Sequence, residues 1–129
     1  MLSGCARGAA SSASCMPIYE FYGIFYSQVS KEKFLTGDEV KEIIILPNNN
    51  RPREVKRILS YSSETKLILI LGPYSGSTAT SLNVGKTSRK NQLILDRKIR
   101  TNQGALLIMN QPFWLARVDG QCKVSMAGK

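Results

Sequence analysis

Histidine is missing from all 129 residues. Its absence removes imidazole general-base catalysis, the Ser–His–Asp and Cys–His nucleophile systems, and every zinc site with a histidine ligand. Acids are scarce. Nine carboxylates, with Asp38, Asp96 and Asp119 the only aspartates, face 18 lysines and arginines, so hard metal ligands are in short supply. Long apolar runs are also lacking. The longest purely aliphatic stretch is Leu67 to Leu71, far short of the roughly 20 residues of a membrane-spanning helix. Cysteine is limited to Cys5, Cys15 and Cys122, an odd set without C-x-x-C spacing. That pattern predicts free thiols in a reducing compartment, with a Cys5–Cys15 or Cys15–Cys122 bridge as the alternative for a secreted protein.

What is present describes an ordinary globular chain. Apolar residues make up 43% and charged residues 21%, too apolar for a disordered polyelectrolyte and long enough for one domain with a core. Residues 1–17 differ from the rest. They are rich in Ala, Ser and Gly, carry Arg7 as their one charge, and contain no acid. This composition fits a flexible arm or a targeting segment. Leu2-Ser3-Gly4-Cys5 spells a lipoprotein cleavage box, but the charged and apolar regions that should precede one are missing. The domain proper is therefore placed at residues 18–129.

Ile18 to Val29 is dense in aromatic and β-branched residues and predicts a strand, with a bulge or bend at Gly23. Val40 to Leu46 contains three consecutive isoleucines, which favours a strand over a helix. Pro52 to Ser62 predicts a short helix, with Val55, Ile58 and Leu59 at helical spacing. Thr65 to Leu71 reads as a buried strand, and Gly72 to Asn91 as a long Gly/Ser/Thr-rich loop. Strand-like runs follow at Gln92 to Ile99, Ala105 to Met109 and Phe113 to Val118. Asp119-Gly120 then signals a hairpin onto Cys122 to Met126. The expected fold is α+β and strand-rich: a small curved antiparallel sheet or partly open barrel of about six strands with one short helix.

Positive charge is concentrated. Arg51, Arg53, Lys56 and Arg57 against Glu54 give +3, and Lys86, Arg89, Lys90, Arg97, Lys98 and Arg100 against Asp96 give +5. These two windows hold +8 of the total +9. If folding brings them to one side, they form a surface that tracks phosphates by releasing counterions. The alternatives are an ordinary solvated surface and an anionic-membrane contact. Tyr19, Phe21 and Phe25 offer a base-stacking platform if they share an open face, although aromatics in strands more often belong to a core. No RRM-type, KH-type, zinc-finger or helix-turn-helix motif accompanies them.

Two catalytic patterns come close. Gly85-Lys86-Thr87 ends like a phosphate-binding P-loop, but Thr80 stands where its first glycine belongs, and a strand-like run follows instead of a helix. Glu39-Val40-Lys41 and Glu54-Val55-Lys56 have the E-x-K form of metal-dependent nucleases, with Asp38, Glu54 and Lys56 as the candidate site. The leading expectation is a non-enzymatic, basic nucleic-acid-binding or assembly protein without cofactors. It would be soluble and intracellular, in a ribonucleoprotein, organellar (mitochondrial) or viral particle, with RNA, DNA or another polyanion as partner and homo-oligomers or larger assemblies allowed. The alternatives are the Mg²⁺-dependent nuclease and a β-rich structural protein that contacts protein or membrane.

Overall fold

A computed structural model describes residues 15–45, 53–60, 64–76, 79–102 and 109–128. These residues form seven strands: β1 (Tyr19–Phe25), β2 (Phe34–Thr36), β3 (Thr65–Leu71), β4 (Ala79–Arg89), β5 (Gln92–Asn102), β6 (Gln111–Asp119) and β7 (Lys123–Met126). Among the described residues two helices, α1 (Asp38–Ile45) and α2 (Arg53–Leu59), lie between β2 and β3. The strands form a four-stranded sheet in the order β1-β6-β3-β2 and a three-stranded sheet in the order β4-β5-β7, not closed into a barrel. The chain is α+β and strand-rich.

Alternation along β3 and β6 builds the layers, because successive side chains of a strand point to opposite faces. Leu67, Leu69, Leu71, Phe113 and Leu115 face the helices, packing with Val40, Ile44, Val55 and Ile58. Ile68, Ile70, Trp114, Ala116 and Val118 face the second sheet, packing with Leu82, Val84, Leu93 and Leu95. The four-stranded sheet is thus the middle layer, with helices on one face and the second sheet on the other. Its two inner strands are covered on both faces, which is why TKLILIL reads as a continuous apolar run.

Several sequence expectations are corrected. Val40 to Leu46 does not form a strand; residues 38–45 are helical, and Leu46 lies outside the described residues. Gly37 turns the chain at φ +83° and accepts the Val40 amide through its carbonyl. Asp38 and Glu39 favour the positive end of the helix. Val40 and Ile44, four residues apart, then share one buried face. That tertiary burial outweighs the few tenths of a kcal/mol that β-branching costs a helix.

Gly72 to Asn91 is not a single long loop. It contains β4, which pairs along its whole length with β5, and Lys90 sits at φ 52° in the turn between them. Leu82 and Val84 point inward while Ser81, Asn83, Gly85 and Thr87 face out, so a half-buried strand carries residues typical of a loop. β1 has no bulge, because its register with β6 runs unbroken from Tyr19↔Arg117 to Phe25↔Gln111. Gly23 is there for space: a Cβ would stand 2.5 Å from Phe113 Cζ and 2.7 Å from Phe21 Cε2.

Asp119-Gly120 does not close a hairpin. The Asp119 carboxylate accepts the Gln121 amide at 2.9 Å, and the Gly120 amide donates to the Glu64 carbonyl at 3.1 Å. The chain is redirected into the second sheet, where β7 pairs parallel with β5. Cys15 and Cys122 form a disulfide in the core between the sheets, so they are not free thiols. Residues 1–14, Cys5 among them, and the run expected at residues 105–108 lie outside the described residues; Met109 is not in a strand.

Candidate polyanion interface

The first basic window rides on α2. Val55 and Ile58 bury one side of this short helix, leaving Arg53, Lys56 and Arg57 on the exposed side. Arg57 lies 4.7 Å above the Tyr19 ring on β1, a cation–π contact. Arg51 falls outside the described residues.

The second window divides by strand parity. Lys86 is at an inward position on β4, where its Nζ is 2.7 Å from Glu20 Oε1 and 6.0 Å from the centre of the Trp114 ring. Arg97 is at an inward position on β5, pairing with Glu32 at 2.9 Å and donating to the Leu71 carbonyl at 3.4 Å. Both tie the two sheets together. Arg89, Lys98 and Arg100 occupy outward positions, and Lys90 stands at the hairpin tip.

The described residues of the two windows therefore lie on different layers. α2 packs on one face of the four-stranded sheet, and the β4–β5 hairpin packs on the other. Both touch β1, where Arg57 covers Tyr19 and Lys86 pairs with Glu20 on the opposite face.

What remains is the outward face of the second sheet. Arg89, Lys98 and Arg100 share it with Lys123 of β7, an exposed residue that the sequence reading missed. Between them lie short polar side chains, Ser81, Asn83, Thr87 and Ser125. Asp96 is the only acid on this face among the described residues, 3.8 Å from an exposed Lys98 ammonium. An exposed pair at that distance contributes little, so the face stays cationic.

The other candidate patterns fall elsewhere in the fold. Tyr19, Phe21 and Phe25 face the helix layer instead of solvent; Phe25 stacks on Phe113 with ring centres 4.3 Å apart. Both E-x-K triplets lie on helices, where residues two apart point to different sides. The nuclease reading would draw its carboxylates from Asp38, at the start of α1, and Glu54, in the first turn of α2, with Lys56 on the same helix as Glu54. Among the described residues no group of three or more Cys, Asp or Glu side chains could hold a metal. Gly85-Lys86-Thr87 runs through the middle of β4 and opens no helix.

Among the described residues no helix is long and apolar enough to cross a membrane. Comparison with protein-family models, with curated proteins and with solved structures finds no match to this chain.

Proposed function

We propose that this chain is a non-enzymatic polyanion-binding protein that contacts the phosphate backbone of a nucleic acid through the outward face of the β4-β5-β7 sheet. One observation carries the reading: Arg89, Lys98, Arg100 and Lys123 lie on one uncovered face with a single carboxylate among them. The surface is thereby reassigned from two joined windows to one sheet face, and Lys86 and Arg97 become structural. Short hydroxyl and amide side chains between the cations supply hydrogen bonds to phosphate oxygens without reading bases. The disulfide adds a condition, since such bonds persist in secretory compartments, at cell surfaces and on virions, and are rare in a reducing cytosol.

The test is a salt titration with a duplex DNA of arbitrary sequence. Each phosphate contact contributes roughly −0.9 to the slope of log K against log salt, so four contacts predict about −3 to −4. Replacing Lys98, Arg100 and Lys123 together by glutamate abolishes binding, whereas Arg53→Gln on the opposite layer leaves it unchanged. Affinity indifferent to salt, or retained by the triple variant, overturns the reading.

A further inference from the structure

The edges of β1 and β4 border an apolar cleft. Each is the outermost strand of its sheet, so each leaves a row of backbone amides and carbonyls without a strand partner among the described residues. Tyr22 closes the seam at one point, where its hydroxyl accepts the Val84 amide at 3.0 Å. On the side of Val84 that leads back toward Ala79, a cleft of about 340 Å³ lies between Tyr22 and Ile24 on β1 and residues 80–83 of β4, with Pro112 and Phe113 also lining it. Ile24 is 50% exposed there.

We propose that this cleft receives an extended segment of another protein, with apolar and acidic residues in alternation, as an added strand on the edge of β4. The backbone groups of residues 79–83 provide the pairing, and the apolar cleft takes every second side chain. Lysine and proline, the usual guards of an exposed edge, are both absent from Ala79-Thr80-Ser81-Leu82-Asn83. The remaining side chains of the incoming strand lie on the outward face, beside Ser81 and Asn83. Arg100 and Lys98 are the cross-strand partners of those two residues. The added strand is two strand spacings from them, roughly 10 Å, a gap that Arg or Lys reaching over short neighbours toward Glu can bridge. Charge also disfavours a second copy as the occupant, because pairing two β4 edges would bring two +9 chains together with their cationic sheet faces side by side.

The experiment uses the full chain with its disulfide intact and fluorescence anisotropy of labelled ten-residue synthetic peptides. A peptide alternating Val and Glu binds saturably. It binds at least about tenfold tighter than one alternating Val and Lys, one with its five Glu in a block, or one N-methylated at every second amide. Ile24→Lys, at an exposed position, weakens it by a similar factor while duplex DNA binding is unchanged. Lys98→Glu with Arg100→Glu removes the preference for Glu over Lys. Equal binding of the block or N-methylated peptide, indifference to Ile24→Lys, or no saturable binding overturns the proposal. So does self-association in sedimentation velocity that Ile24→Lys abolishes, because a second copy would then hold the cleft.

Discussion

Tyr22 on β1 and Val84 on β4 join the edges of two different sheets through a single hydroxyl. The phenolic oxygen accepts the Val84 amide at 3.0 Å, and its proton faces Asn83 Oδ1 at 3.3 Å and the Val84 carbonyl at 3.4 Å. Tyr22→Phe keeps the ring and removes this link. The expected cost is about 1 kcal/mol, read by chemical denaturation, with hydrogen exchange accelerated at the Val84 amide and unchanged at Leu69 in the middle sheet.

Gly23→Ala tests the space beneath β1. The new methyl would collide with Phe113 and Phe21, and Phe113 is also held by stacking against Phe25. Overpacking of this kind costs about 1–3 kcal/mol. A melting temperature equal to that of the parent chain would contradict the packing described.

Gln111 is fully buried and clips three segments together. Its amide nitrogen donates to the carbonyls of Ser30 and Gly72, and its oxygen accepts the Val29 amide. Gln111→Leu preserves volume but strands these groups, at an expected cost of about 2 kcal/mol or more. The β1–β2 connection should loosen, so trypsin should cut at Lys31 and Lys33 faster than in the parent.

The Cys15–Cys122 disulfide closes a span of 107 residues. Long loops gain most from cross-linking, and removal should cost about 2–5 kcal/mol. Cys15→Ser with Cys122→Ser should show this loss in urea. Thiol titration of the unreduced, denatured parent should find one free cysteine, Cys5, where the earlier expectation of free thiols requires three.

The inner layer of this fold was legible in the sequence because burial on both faces leaves a strong mark. TKLILIL is apolar at every position from Leu67 onward, and Thr65–Leu71 is the strand observed. β4 was hidden for the opposite reason. Only Leu82 and Val84 face the core, and the intervening Ser, Asn, Gly and Thr suit a solvated sheet face as well as a loop. α1 was hidden because the burial that favours a helix comes from β2 and β3, which local isoleucine content does not report. The same distinction governs the charges. The windows grouped neighbours in sequence, whereas a strand sends neighbours to opposite faces. Once Leu93 and Leu95 are known to point inward, Arg97 must follow them, and Lys98 and Arg100 must not. Lys123 stood apart from both windows and became visible only through its register with Gln92.

β6 is bonded to both β1 and β3, and it occupies residues 111–119. A ribosome that has made five strands has therefore not yet supplied the one that unites the first with the third. The middle sheet can assemble only after synthesis passes that point, and until then β3 lacks the strand that pairs with it along Thr65–Leu71. A truncation before residue 111 therefore removes the strand that both β1 and β3 pair with.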